Sequence, residues 1–351
     1  MAHTHFVRLR GGLLVVAGLL SGACAHVPSR SAARLDAIHR AHVWTATDVG
    51  AMDIMVGPTG PGAFAPNATV NCDYVEEKMS GRSPKFTCLI APDDEVKVKF
   101  GPDNGEVFAE VAASRLLWAL GFGADRMYPV RVVCQGCPPR VVGSHIAAIE
   151  RKIAGAAIES DIESGWAWRE LELVDPALGG ASLAERDALT LLAVFLQHTD
   201  SKADNQRLLC RSTVGDAPAG APCAETFMIV QDVGLTFGHA THHNGTGEES
   251  TNLNKWVSAP IWKDSTRCVA NLRKSLTGTL KDPSITEGGR RLLAGLLARL
   301  SDRQIRDLFD VARFSDRVAA PDQPVVETST QQWVDAFKQK RSEIVDHTCP
   351  S

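Results

Sequence analysis

Residues 198–210, HTDSKADNQRLLC, crowd acids, an amide and a cation into a few positions: His198, Asp200, Lys202, Asp204 and Asn205. The stretch before them, ALTLLAVFLQ, is apolar and reads as a buried helix. A polar cluster at the end of such a helix is a loop fixed by a rigid element, a good place for chemistry. Asp232 follows a strand-like run, TFMIVQD, and Gly234 stands two residues further on. A carboxylate can take or orient the proton of a hydroxyl, and carboxylate and carboxamide oxygens are hard ligands suited to magnesium. Taken singly, an Asp or Asn in a loop is more often a cap or an Asx-turn. These acids stand out by their order relative to cations placed upstream.

The upstream cations sit in EVKVKFG. A strand has a side-chain period of two, so Lys97 and Lys99 share one face and Val96, Val98 and Phe100 the other. KFTCLI precedes them across an APDD turn, and the two runs read as a hairpin. EVFAEVAASRLLWALGF then predicts an amphipathic helix closed by Gly121, with Glu106 and Glu110 four apart on one face. MYPVRVVC is a further strand, and residues 145–163 read as a helix or an extended arm. The apolar helix before the acid loop is capped near Ser182, and RLLC and TFMIVQD are short strands around a GDAPAGAPC excursion. The C-terminal part reads as helical, with Ser301 a cap for SDRQIRDLFDVARF and Gln304 three residues later. Residues 26–44 are a polar lead-in ending in a short helix, and the turn-rich GPTGPGAFAPNATVNCDY is expected to drape over the surface. Trp166, Trp168 and Trp256 are candidates to wall a cleft.

The chain has 351 residues, 44% of them hydrophobic, enough for a sizeable core in one large domain or two lobes. A formal net charge of −4 argues against general nucleic-acid binding. The N-terminus carries Arg8 and Arg10, then the short apolar run GGLLVVAGLLSGACA, the pattern of an export leader. Cleavage after Ala25 would release a soluble protein; lipidation of Cys24 would tie it to a membrane, the only membrane association expected. The destination is the periplasm, the outer membrane or the exterior. Eight further cysteines, an even set, fit an oxidising compartment and up to four disulfides, with Cys72–Cys88 and Cys210–Cys223 the local guesses. The CxxC in CQGCPP lacks a thioredoxin-like context and is read as a structural disulfide, or as separate bridges to distant partners. His239, His242 and His243, with Glu248 or Glu249 nearby, are a weaker zinc candidate.

The order of lysine strand, glutamate helix, D-x(4)-N and D-x-G resembles the protein-kinase superfamily. HTDSKADN is similar to its catalytic loop, with His198, Asp200 and Asn205 at matching places, Thr199 where the family has Arg, and Lys202 at a lysine that many of its members carry. DVG, with Val233 for Phe, resembles its metal motif. There is no clear glycine-rich loop, since MSGRSPKF holds only Gly81, and no A-P-E motif. Asn205 and Asp232 are 27 residues apart, longer than the usual hairpin. These departures, with EVAASRLLWALGFGADRMYPV, look more like the atypical branch of HipA-like, secretory-pathway and lipid-kinase-like enzymes.

That resemblance implies an α+β, bilobal protein-kinase-like fold. Residues 1–25 would be the leader, 26–84 an N-terminal extension, 85–143 a small β-rich lobe with one glutamate helix, 144–317 a larger helical lobe, and 318–351 a linker and helix. It implies an ATP- and Mg2+- or Mn2+-dependent transfer of a phosphoryl group to a hydroxyl on a protein or small molecule. Asp200 would handle the acceptor's proton, Lys202 offset charge on the phosphoryl, His198 complete the loop, and Asn205 and Asp232 hold the metal. A strand lysine held by a helix glutamate would contact the phosphates. Lys99 with Glu110 is favoured over Lys97 and Glu106, because Glu110 lies within the helix proper. A catalytically inactive binding module and an AMP transferase on the same fold are the alternatives.

Overall fold

The structure is a computed structural model and describes residues 30–79, 81, 83–160, 164–211, 223–238, 251–317 and 328–350. The leader, Cys24 and the His239–Glu249 segment lie outside the described residues.

The chain mixes α and β structure. After α1 (Arg30–His39), five strands close a barrel in the order β1-β2-β3-β5-β4: β1 (Ala68–Val75), β2 (Lys85–Ala91), β3 (Asp94–Phe100), β4 (Arg126–Gln135) and β5 (Gly143–Arg151). Neighbours are antiparallel except β1 and β4, which run parallel. Alternation builds the barrel: Val70, Phe86, Cys88, Val96, Val98, Val130 and Val132 face its interior and are buried. The opposite face of β2 and β3 carries Lys85, Thr87, Lys97 and Lys99, paired across the ladder as Lys85 with Lys99 and Thr87 with Lys97. The strands thus span residues 68–151. The turn-rich segment contributes β1 instead of draping the surface, and the run expected as helix or arm supplies β5.

Between β3 and β4 lies α2 (Gly105–Leu120). The Asn104 side chain accepts from the Glu106 N–H, and Gly121 ends the helix at φ 87°. A Cβ on Gly121 would stand 2.0 Å from the Thr45 carbonyl oxygen. Expected as amphipathic, α2 is buried on every residue but Trp118, because it packs against β4 and β5 and also against a later helix over Asp302–Val311.

A short β6 (Ala156–Ala157) precedes α3 (Leu183–Leu196), which starts in a capping box of Ser182 and Glu185. α3 runs directly into the acid loop, as its apolar run predicts. β7 (Gln206–Cys210) and β8 (Thr226–Val230) pair antiparallel beside β6. Then come α4 (Leu253–Ser258), β9 (Trp262–Asp264), β10 (Val269–Ala270), α5 (Glu287–Ala298), α6 (Asp302–Val311) and α7 (Thr330–Val345). Ser301 and Gln304 form the expected capping box on α6. α3 packs on α5 and α5 on α7, around an aromatic core that includes Phe237, Trp256, Phe309 and Trp333. Trp166, Trp168 and Trp256 are buried there rather than walling a cleft.

The cysteines pair as Cys72–Cys88, Cys134–Cys137, Cys210–Cys223 and Cys268–Cys349, so both local guesses are matched. Among the described residues no helix is long and apolar enough to cross a membrane.

Candidate functional site

The barrel's charged face, the start of α2 and the acid loop after α3 line one cleft of about 1240 Å³. Lys99 lies beneath its floor, 1% exposed, bonded to Glu106 and Asp232, which line it. Its Nζ donates to Glu110 Oε1 at 2.5 Å, Glu106 Oε2 at 2.7 Å and Asp232 Oδ1 at 2.7 Å. The sequence favoured one glutamate; the structure brings both to the same lysine, because positions 106 and 110 are one helical turn apart and α2 points its first turns at β3. Lys97 instead pairs with Glu150 of β5.

One cation among three acids sets the electrostatics. Burial would drive the Lys99 ammonium to lose its proton, but Asp232, Glu106 and Glu110 outweigh it and hold the group well above the ordinary lysine range. Burial pushes the Glu110 carboxyl up to about 8, only partly countered by Lys99. Asp232 is also pushed up by burial, yet Lys99 and Lys97 reverse the sign and leave it below the usual carboxylate range. Lys99 is therefore held charged and Asp232 ionised, while Glu110 is the acid that burial most disposes to keep a proton.

The acid loop is tied down at several points. Gln231 N–H donates to the Asn205 carbonyl at 2.8 Å, which places Asp232 one residue from the loop, and Ser275 N–H donates to the Thr199 carbonyl at 2.9 Å. Asn205 Nδ2 donates to the Asp200 carbonyl at 2.7 Å and to Asp200 Oδ2 at 3.1 Å; Ser275 Oγ donates to Asp200 Oδ1 at 3.1 Å. Lys202 Nζ lies 3.9 Å from Asp200 Oδ2, a loose, half-buried pair. Asp200, Lys202, Asn205 and Asp232 all line the cleft.

His198 does not reach it. The ring is 1% exposed, 6.2 Å from the Trp168 ring, and neither nitrogen has a partner among the described residues. Burial pushes it down to about 4, so the neutral imidazole packs beneath the loop. Gly234 has a steric reason: a Cβ there would lie 2.7 Å from Glu106 Cγ and 2.9 Å from its Oε2.

Sequence reasoning missed Glu150, Lys85 and Ser275. Period two on KFTCLI already put Lys85 on the face of Lys97 and Lys99. Glu150 was hidden because β5 was not read as a strand. Nothing local marks Ser275, which arrives through the tertiary path of residues 271–280.

No family model and no curated protein matches the chain. Among solved structures it is similar to the Helicobacter pylori proinflammatory kinase CtkA, at 12% identity over 79% of this chain and 96% of that one, with a TM-score of 0.44. A likeness of that grade places no residue, and the chemistry of the cleft rests on its own geometry.

Proposed function

We propose that the cleft binds ATP with Mg2+ or Mn2+ and transfers the γ-phosphoryl group to a hydroxyl on a protein or small molecule, in a bilobal kinase-like fold. The observation that carries this is the meeting of Lys99, Glu106, Glu110 and Asp232 at the base of a cleft that also holds Asp200 and Asn205. A buried lysine kept charged by surrounding acids is ready to meet phosphate oxygens. Glu106 and Glu110 fix its position. Asp200 keeps Oδ1 directed toward a hydroxyl, the place now taken by Ser275 Oγ, and an acceptor seated there would give its proton to this carboxylate. Lys202, free to move, would offset charge on the group in transfer.

The donor set fits a divalent cation. Asn205 commits Nδ2 to Asp200, which leaves its oxygen as the end that meets a metal, and Asp232, next to the Gln231 that bonds the Asn205 carbonyl, supplies a carboxylate to the same cleft. The metal would neutralise phosphate charge and hold the chain in line. An inactive nucleotide-binding module is the second reading. It is favoured by the Lys99–Asp232 pair, which occupies one of the oxygens a metal needs.

The four cysteine pairs support an exported protein. A kinase outside the cytoplasm needs a nucleotide source there, such as a host compartment. The test is a structure with a non-hydrolysable ATP analogue and Mg2+. Lys99 should contact phosphate oxygens, and Asn205 and Asp232 should share a metal. Nucleotide bound elsewhere overturns the assignment; nucleotide bound in the cleft without metal on either residue favours the inactive module.

A further inference from the structure

Three lysines share the cleft-facing side of the β2–β3 ladder, and the acids around them are not evenly distributed. Lys99 takes Glu106, Glu110 and Asp232, and Lys97 takes Glu150. Lys85, directly across the ladder from Lys99, is half-buried and has no hydrogen bond or ion pair among the described residues. It lines the same cleft as Lys97, Asp200 and Asp232. A partly desolvated ammonium with no anion in contact is a standing cost that a ligand's negative charge would offset.

We propose that Lys85 binds the polyphosphate chain of the ligand, so that the cleft selects nucleoside di- and triphosphates over monophosphates and nucleosides by a cation on β2. This rests on the nucleotide reading of the cleft and adds a residue to it. Lys99 is held at the base by three acids and can reach only phosphate oxygens that come to it. Lys85 stands beside it on the neighbouring strand without such restraint, so a chain of phosphates laid along the ladder meets both. The sequence between β1 and β2 holds Gly81 as its only glycine and so offers no glycine-rich phosphate loop, and a side-chain cation supplies attraction in its place. Burial and then the neighbouring Lys99 ammonium hold Lys85 below the ordinary lysine range, while Asp232 and Glu106 pull the other way. An arriving polyanion would reverse that balance.

The experiment compares the parent with Lys85→Gln and Lys85→Arg in equilibrium binding of ATP, ADP, AMP and inorganic tripolyphosphate, each with Mg2+. Losing one charge-assisted contact should weaken ATP binding about ten- to a hundredfold in the Gln variant, with Arg recovering much of it. AMP should change by less than about threefold, since it presents a single phosphate to a cleft with Lys99 intact. A thermal melt of each variant, expected to be no lower than the parent's because Lys85 is half-exposed and unpaired, guards against misfolding. Equal losses for ATP and AMP, or no loss for ATP, overturn the proposal. Tripolyphosphate separates the two ideas: if the parent binds it through Lys85 but binds no ATP, the Lys85 assignment stands and the nucleotide reading falls. If the parent binds neither, both fall.

Discussion

Lys99→Met removes the cation from three carboxylates while keeping most of the aliphatic stem. Glu106 and Glu110 are 8% and 2% exposed and Asp232 32%, so water can replace the lost ammonium only at Asp232. Removing one partner of a buried pair costs about 3–5 kcal/mol, and the exposed third of Asp232 places the expected loss toward the lower end. The pH dependence is more diagnostic than the size. Without Lys99 the carboxyls of Glu110 and Asp232 lose the charge that lowers them and move up, and a group raised on folding loses its stabilising contribution as pH climbs through the folded value. The gap between parent and variant should therefore be widest near about pH 8 and shrink toward about pH 5, by about 1.4 kcal/mol for each unit the carboxyls have moved. Urea titrations followed by tryptophan fluorescence suit the purpose, since Trp166, Trp256 and Trp333 are buried. Glu110→Gln is the control. With its carboxyl raised from 4.5 to about 8, an amide there should match the parent below about pH 4.5 and be increasingly stabilising as pH climbs from there to about 8. A Lys99→Met loss below about 1 kcal/mol, or one that does not change with pH, would refute the buried-cluster electrostatics.

Three further outcomes follow from the packing. The neutral His198 contributes stability present above pH 6.5 that is lost as pH falls through its folded value of about 4; on the order of 3 kcal/mol of that acid slope should vanish in His198→Leu, read by unfolding across that range. Gly234→Ala forces Glu106 off Lys99 and should cost about 1–3 kcal/mol in a melt, with weakened nucleotide binding. Replacing Cys268 and Cys349 by Ser opens a closure of 81 residues and should cost about 4–5 kcal/mol in the chain-entropy model, far more than the same change at Cys134 and Cys137, which are 3 apart.

The acids of the cleft were legible because their signals are local. A polar D-x(4)-N after an apolar helix and a lysine pair on a period-two strand can be found without knowing what they face. Partner choice was not local. Whether Lys97 or Lys99 meets α2 depends on how the helix crosses the barrel, and Lys97 is satisfied from β5, whose HIAAIE core fits a helix or a strand equally over so short a run. β1 was masked by the Gly/Pro-rich stretch before it and is fixed by pairing with β4, far along the chain. α2 carries too few polar positions to be half-exposed, and its burial was readable from that alone. The kinase-loop resemblance groups His198 with the catalytic acids, yet the turn after α3, with Gln197 at φ 56°, sends Asp200 to the cleft and leaves the His198 ring in the core.

The most direct test of the central claim is a transfer assay with ATP labelled at the γ or the α position, Mg2+ or Mn2+, and candidate protein and small-molecule acceptors. The expected result is γ-label on a hydroxyl, with Asp232→Asn and Asp200→Asn each lowering the rate by orders of magnitude, Asp200→Asn while leaving nucleotide binding largely intact. Transfer of α-label instead would make the protein a nucleotidyl transferase. Transfer by both variants at the parent's rate would contradict the assignment of these carboxylates, and the phosphotransferase with it.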